Sequence, residues 1–161
     1  VLGGIYIYRL GQHEQGAAEY ERAIALNPNH ADILAGWGWA LTVLGRAEEA
    51  VETIRRAMRL NPYYPDWYKS ALGDASYLAR QYNEAVDALE RVENHTVDSR
   101  LILAASYAQL GRLNDARAEA TRAFELQSDL SIKTWSEYES YNNPADIEHI
   151  RDGLRKAGLL E

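Results

Sequence analysis

A repeat of about 34 residues constrains the fold of this chain more than any other feature of its sequence. Two segments that end in Leu-Asn-Pro, at Pro28 and at Pro62, mark the ends of two copies. Residues at matching offsets before the two prolines correspond in pairs: Gly4 and Gly38, Gly11 and Gly45, Tyr20 and Ile54, and Ala23 and Ala57. Because a short unit of this kind buries its apolar face only by stacking on its neighbours, the repeat predicts an array of stacked units.

Two further copies follow the second proline. The third contains Leu72-Gly73 and Tyr82-Asn83-Glu84-Ala85, after an insertion near Pro65, and the fourth runs from Val97 through Leu110-Gly111-Arg112. The third copy lacks the Leu-Asn-Pro ending, so its second helix is predicted to be short. The chain therefore divides into a partial first unit (1–30), three further units (31–64, 65–96 and 97–130) and a tail (131–161).

Each unit is predicted to contain two antiparallel helices. The junctions fall at Gly11, Gly45, Arg80 and Gly111, and glycine readily adopts the positive φ with which many helices end. Between the junctions, apolar residues recur at intervals of three and four, which places them on one face of a helix. The clearest example is the run Ile33, Leu34, Trp37, Leu41 and Leu44.

The tail carries the local signals of two more helices. A short one is expected from Ser131 to Tyr138, around Trp135, followed by a polar loop from Ser140 to Asn143. Asn143-Pro144 then supplies an N-cap and a proline at the first helical position, and Gly158 ends the helix. Its apolar residues recur at helical spacing: Ile147, Ile150, Leu154 and Ala157. We expect this helix, 144–157, to cap the last apolar face of the array.

These motifs resemble the tetratricopeptide repeat family over residues 1 to about 128. The large-small tandem of the family's first helix is present as Trp37-Gly38, Leu72-Gly73 and Leu103-Ala104, and its second helix opens with Ala50, Ala85 and Ala116. The sequence departs from the family pattern at Gly16, where alanine is usual, and at Val92. The resemblance implies an all-α, right-handed superhelix of about four repeats, the first truncated, with a C-terminal capping helix and an inner face that binds a protein or peptide.

A narrower resemblance concerns the C-terminal repeat region of bacterial class III adenylate and guanylate cyclases and related multidomain regulators. It is carried by the segment 61–68, by Ala104-Ala105-Ser106-Tyr107 and by the ending Gly153-Leu154-Arg155-Lys156. The start, Val1-Leu2-Gly3-Gly4, has neither Met nor a signal-peptide pattern, so the chain is expected to begin inside a longer protein. The resemblance implies a regulatory region from which the catalytic domain is absent.

Composition excludes several classes of function. The 24 Asp and Glu against 17 Lys and Arg give a net charge of −7, which disfavours nucleic acid and anionic membranes as partners. There is no Cys, no nucleotide or hydrolase motif, and no apolar run long enough for a membrane span. The four His have no His partner at metal-binding spacing. We therefore expect no catalytic site, metal or cofactor, and a soluble protein, with the cytoplasm favoured over the periplasm.

The family resemblance also implies which residues line the inner groove. The chain has 11 Tyr and 4 Trp but one Phe, a bias that suits half-exposed recognition surfaces. Trp39, Trp67 and Tyr77 are the expected main contacts, in a mildly acidic groove suited to a partly apolar segment that carries Lys or Arg. The predicted groove residues are Ile5, Tyr8, Arg9, Trp39, Thr42, Trp67, Ser70, Asp74, Tyr77 and Leu101.

Three alternatives stay open at this stage. Trp39 and Trp67 could pack between helices instead of contacting a ligand. Asp32 and Asp98, which are also on the predicted inner wall, could instead stabilise a helix N-terminus. The inner face has no cluster of Lys, Asn and Arg, which argues against binding of chaperone C-terminal tails. Self-association through the first helix and the tail is the alternative to peptide binding, and would make the chain a homo-oligomer.

Overall fold

The computed structural model describes residues 2–137 and 141–160, which form ten α-helices and no strand. The helices are α1 (Leu2–Leu10), α2 (His13–Leu26), α3 (Ala31–Val43), α4 (Ala47–Leu60), α5 (Asp66–Leu78), α6 (Tyr82–Leu89), α7 (Val97–Gln109), α8 (Leu113–Leu126), α9 (Ile132–Glu137) and α10 (Pro144–Ala157). The expectation of an all-α fold is confirmed. The end of the predicted short helix at Tyr138 and the start of the polar loop at Ser140 lie outside the described residues.

The first eight helices pack as four successive hairpins. In each pair an odd-numbered helix packs on the even-numbered helix that follows, and the odd-numbered helices also contact one another, α1 with α3, α3 with α5 and α5 with α7. We call the surface that α1, α3, α5 and α7 form together the A-helix face. The helix bounds agree with units at 1–30, 31–64, 65–96 and 97–130, although that division remains a prediction.

The turn inside each hairpin is set by one residue with positive φ. Gly11, Gly45, Arg80 and Gly111 have φ of 61°, 79°, 61° and 75°. At the second of these turns Arg46 N donates to Leu41 O at 2.9 Å, which caps the free carbonyls at the end of α3. The predicted junctions are therefore confirmed, including the one where arginine replaces glycine.

Small residues at one position of the odd-numbered helices let the two helices of a hairpin approach closely. A Cβ on Gly38 would lie 2.4 Å from Ile54 Cγ1, and a Cβ on Gly73 would lie 2.4 Å from Leu89 Cγ. Real Cβ atoms do not approach that closely, so each branched side chain fills the space that the missing Cβ leaves. This contact explains the large-small tandem of the sequence, in which the small residue faces the partner helix.

The connection after the short helix α6 is held by Asp66, in the first turn of α5. Its carboxylate accepts hydrogen bonds from Asn94 N at 3.0 Å and Glu93 N at 3.1 Å, and pairs with Lys69 at 2.8 Å. The Lys69 partner and the two backbone donors lower the pKa of Asp66 to about 2. Thr96 then begins α7, where its Oγ1 accepts from Ser99 N. These bonds stabilise a connection that has no Leu-Asn-Pro turn.

The last helix packs on the last hairpin, as a capping helix does, and also extends along the A-helix face toward α5. Asn143 caps α10 and Gly158 ends it with φ 94°, as predicted. The helix packs mainly along α7, makes fewer contacts with α8, and also reaches α5. Just before the helix, Asn142 N donates to Val43 O at the end of α3. The capping helix therefore covers part of the A-helix face as well as the last hairpin.

Candidate functional site

A pocket of about 760 Å³ opens on the A-helix face. Its walls come from α3, α5 and the start of α7, with α2 and the connections between hairpins closing its sides. It lies toward the N-terminal halves of the odd-numbered helices. The lining residues are Tyr20, Asp32, Gly36, Trp39, Asn61, Pro65, Trp67, Ser70, Ala71, Asp74, Thr96, Asp98 and Ser99.

Helical spacing brings the lining residues to one side. Asp32, Gly36 and Trp39 follow one another at intervals of four and three residues along α3. Trp67, Ser70 and Asp74 follow one another at intervals of three and four residues along α5. Gly36 and Ala71 carry little or no side chain in the middle of these helices. The hollow therefore lies between the tryptophans because the residues between them are small.

The two tryptophans form aromatic walls and are held by neighbouring rings. The ring of Trp39 stacks on Tyr8, with centroids 3.3 Å apart and an interplanar angle of 19°. Trp67 meets the edge of Tyr68 at 4.4 Å and 66°. Trp67 keeps 43% of its surface exposed, whereas Tyr68 beneath it is fully buried. A rigid, partly exposed indole in a concave site is typical of a recognition surface.

Two carboxylates of the pocket are oriented by buried donors that carry no charge. The hydroxyl of Tyr68 donates to Asp32 Oδ1 at 2.5 Å, and Trp135 Nε1, from α9, donates to Asp98 Oδ1 at 2.9 Å. Burial raises the pKa of Tyr68, and the bond to Asp32 raises it further, so the hydroxyl keeps its proton and remains a donor. With Asp74, three aspartates line the pocket, and its lining contains no Lys, Arg or His.

Four of the predicted groove residues line this pocket, namely Trp39, Trp67, Ser70 and Asp74. A fifth, Tyr8, lies against Trp39 and supports it. Trp39 and Trp67 therefore line the same pocket, and their role in binding stays a prediction. The predicted groove did not include Tyr20 of α2, Ser99 of α7, or three residues of the connections between hairpins, where no helical pattern indicates direction: Asn61, Pro65 and Thr96.

Five predicted groove residues lie elsewhere. Ile5 and Arg9 are exposed on α1 and do not line the pocket. Thr42 and Leu101 are buried, the first with its hydroxyl donating to Gly38 O at 3.1 Å and the second in the apolar core. Tyr77 is fully buried. These three buried side chains face neighbouring helices, so they offer a ligand no surface.

Tyr77 lies beneath α10, which fills the second half of the A-helix face. Its hydroxyl donates to His149 O at 2.9 Å, and its ring stacks on the His149 imidazole with centroids 4.8 Å apart. A Cβ on Gly153 would lie 2.4 Å from the Tyr77 hydroxyl, so only glycine permits this approach. Gln109 Nε2 donates to Asp152 Oδ2 at 3.1 Å farther along. The chain's own helix occupies the surface that Tyr77 was predicted to offer to a partner.

Within residues 2–137 and 141–160 no group of three or more His, Asp or Glu side chains is arranged to hold a metal ion. No helix of that part of the chain is both long and apolar enough to cross a membrane.

Comparison with known proteins identifies the fold. Residues 4–65 match the sequence model of the tetratricopeptide repeat family. The fold is that of a tetratricopeptide repeat protein. Three crystal structures superpose over 96% of the chain. The match to MamA covers 91% of that protein, with a TM-score of 0.67 and 18% sequence identity, and the match to TTC0263 from Thermus thermophilus covers 86% of that protein, with a TM-score of 0.67 and 23% identity. The match to YrrB, described as a tetratricopeptide repeat protein with an unusual peptide-binding site, covers 80% of that protein, with a TM-score of 0.64 and 19% identity.

Two proteins whose names include tetratricopeptide repeats match this chain in sequence. One is the small glutamine-rich tetratricopeptide repeat-containing protein 2 of Mycosarcoma maydis, 29% identical over 121 residues, which cover 72% of this chain and 34% of that protein. The other is the repeat-containing thioredoxin TTL4 of Arabidopsis thaliana, 38% identical over 61 residues, which cover 38% of this chain and 9% of that protein. The chain thus spans about a third or less of each relative. Neither is a nucleotide cyclase, and the predicted cyclase context gains no support.

Proposed function

We propose that this chain is a non-catalytic interaction module that binds an extended segment of a partner polypeptide in the pocket between Trp39 and Trp67. Tetratricopeptide repeat proteins mediate protein-protein interactions, and YrrB, which shares the fold, is described by its peptide-binding site. The observation that carries the proposal is the exposed indole of Trp67 on the wall of a pocket of about 760 Å³. The volume falls within the range of about 300–1,000 Å³ typical of ligand sites.

The position of Trp67 supports binding over packing alone. Tyr68, the next residue in α5, fills the space between helices and is fully buried, while Trp67 rests on its edge and faces outward. The core therefore does not require the Trp67 indole. Burying the exposed part of such a side chain against a partner is a typical source of binding energy.

The test is a selection of binding peptides from a random display library, followed by affinity measurement against variants. We expect Trp67→Ala to weaken the selected peptides by roughly 10- to 30-fold, the loss of about 1.4–2 kcal/mol that a central aromatic contact contributes. Tyr63→Ala is the matched control, because Tyr63 is 94% exposed and lies outside the pocket. Circular dichroism checks that both variants fold. Peptides that bind Trp67→Ala as tightly as the natural chain would reject the pocket.

Self-association is the second candidate, and one observation favours it. Leu2, Ile5 and Leu10 are each about half exposed on α1, at spacings that place them near one side of the helix. If the chain sediments as a monomer at ~100 μM, self-association with a Kd below that concentration is excluded. A role as the regulatory region of a class III nucleotide cyclase or of a transcription regulator stays a prediction. Any coding sequence found upstream of Val1 would test it.

A further inference from the structure

We infer that the pocket selects a partner segment that carries Lys or Arg, with the cationic group held by one of the two carboxylates Asp32 and Asp98 and covered by the ring of Trp67. This inference rests on the proposed function and adds to it the chemical class of the bound segment. It starts from the cavity itself, whose walls combine apolar rings with carboxylates and, among the residues that line it, no cation.

The two carboxylates differ from three other acidic groups of this chain that have an ion-pair partner. Glu84 pairs with Arg55 at 2.6 Å, Glu119 with Arg100 at 2.7 Å and Asp152 with Lys156 at 2.6 Å. Within the described part of the chain, Asp32 and Asp98 have no such ion pair, and each accepts its hydrogen bond from a neutral side chain. Both residues are exposed, so their charge is accessible to a group outside the chain.

Capping of a helix N-terminus does not account for these two aspartates. The cap of α3 is His30, whose Nδ1 accepts from Ile33 N at 3.4 Å, and the cap of α7 is Thr96. Asp32 and Asp98 instead direct Oδ1 to Tyr68 and Trp135. Asp66, in the first turn of α5 between them, turns away to the connection after α6. One backbone N–H at the start of each of these two helices is therefore capped without Asp32 or Asp98, which both lie in the first turn.

The buried donors also make the carboxylates rigid acceptors. A carboxylate has two oxygens and about four acceptor sites, so one hydrogen bond to Tyr68 or Trp135 leaves most of them available. Ionic hydrogen bonds from an ammonium or guanidinium group are stronger than neutral ones. An indole face near such a site attracts the same cations through its π electrons, which gives Trp67 a second reason to select Lys or Arg.

The experiment titrates the protein with acetylated and amidated peptides Ala-Ala-Xaa-Ala-Ala, in which Xaa is Arg, Lys, citrulline or norleucine. The indole N–H resonance of Trp67 reports binding by NMR, and that of the buried Trp37 serves as an internal reference. We expect the Arg and Lys peptides to shift Trp67 at concentrations at least 10-fold lower than the citrulline and norleucine peptides. Citrulline is the sharpest comparison, because it keeps the shape of arginine and loses the charge.

Three variants with the same change of charge complete the test. Asp32→Asn and Asp98→Asn keep an acceptor for Tyr68 and Trp135, and at least one of them is expected to weaken the Arg peptide at least 3-fold. Asp87→Asn, at an exposed position of α6 outside the pocket, is expected to leave affinity unchanged. The advantage of the Arg peptide is expected to shrink as salt is raised.

Several outcomes would overturn the inference. Equal affinity of the Arg and citrulline peptides, or unchanged affinity in both Asp32→Asn and Asp98→Asn, would reject cation selection while leaving peptide binding at Trp67 intact. Spermidine binding as tightly as the Arg peptide would assign the site to a free polyamine and not to a polypeptide. No response of Trp67 to any of these peptides at millimolar concentration would also reject the inference, and the display selection with Trp67→Ala would decide separately whether the proposed function fails.

Discussion

Replacing Gly153 by alanine tests whether α10 is fixed on the A-helix face by close contact. The new Cβ would lie 2.4 Å from the Tyr77 hydroxyl and 2.8 Å from Ala105 Cβ. Both atoms belong to fully buried residues of α5 and α7, so neither can move aside at low cost. The helix has to shift outward, and the hydrogen bond from Tyr77 to His149 O has to lengthen or break.

The free energy of unfolding is expected to fall by about 1–3 kcal/mol. Overpacking a core site costs about 1–3 kcal/mol, and loss of the Tyr77 bond costs about 1 kcal/mol. The higher helix propensity of alanine offsets about 1 kcal/mol of this loss. For a domain of this size each kcal/mol lowers Tm by about 2–4 °C. Urea and thermal denaturation followed by circular dichroism would measure both quantities.

A double-mutant cycle with Tyr77→Phe identifies the cause. Because Tyr77→Phe removes the oxygen that lies nearest the new Cβ, we expect Gly153→Ala to cost at least about 1 kcal/mol less in that background. Gly4→Ala is the matched control: the nearest atom to its Cβ is the Tyr20 hydroxyl at 3.3 Å, so propensity dominates and stability is unchanged or rises. Gly153→Ala stabilising the protein as Gly4→Ala does would refute the reasoning.

Two predictions concern pH. The pKa of His149 is lowered, chiefly by burial and next by the charge of Arg80. The contribution of His149 to stability is therefore complete above its unfolded pKa of about 6.5 and is lost as the pH falls through its lower folded pKa. Urea denaturation between pH 7 and 5 should show a smaller pH dependence in His149→Gln than in the natural chain; an unchanged slope in His149→Gln would contradict the prediction. The pKa of Asp66 is lowered to about 2, so its contribution is complete above about 3.8 and is lost between there and pH 2. Asp66→Asn is therefore expected to lower the denaturation midpoint at pH 7 and to reduce the further loss below pH 4, whereas an equal midpoint at pH 7 would disprove the role assigned to this carboxylate.

The sequence predicted the hairpins well because their determinants are local. A residue with positive φ ends the first helix of each pair, and glycine at three of the four junctions made those positions visible. Gly73 was equally informative, since the small residue next to Leu72 faces the partner helix in the structure. Even the short α6 followed from the absence of a Leu-Asn-Pro ending.

The position of α10 could not be predicted in the same way. Ile150, Leu154 and Ala157 identify the side of the helix that is buried, but an apolar stripe does not specify which neighbour covers it. The deciding residue is Gly153, whose effect depends on its distance to Tyr77, a residue far away in sequence. Tyr77 was therefore predicted as a ligand contact although it packs inside the protein.

The position of α10 also bears on what the A-helix face can bind. The helix covers Tyr77 and Gln109, in the C-terminal halves of α5 and α7. It leaves open Asp32, Trp67 and Asp98, which lie in the N-terminal halves of α3, α5 and α7. The covered half is closed by apolar packing and by hydrogen bonds that include the ion pair of Asp152 and Lys156, whereas the open half combines carboxylates with exposed indole. A partner that meets only the open half encounters acidic groups next to an aromatic ring. Selection for a cationic segment would then depend on the position of α10, which covers the other half of the face, as well as on the residues that line the pocket.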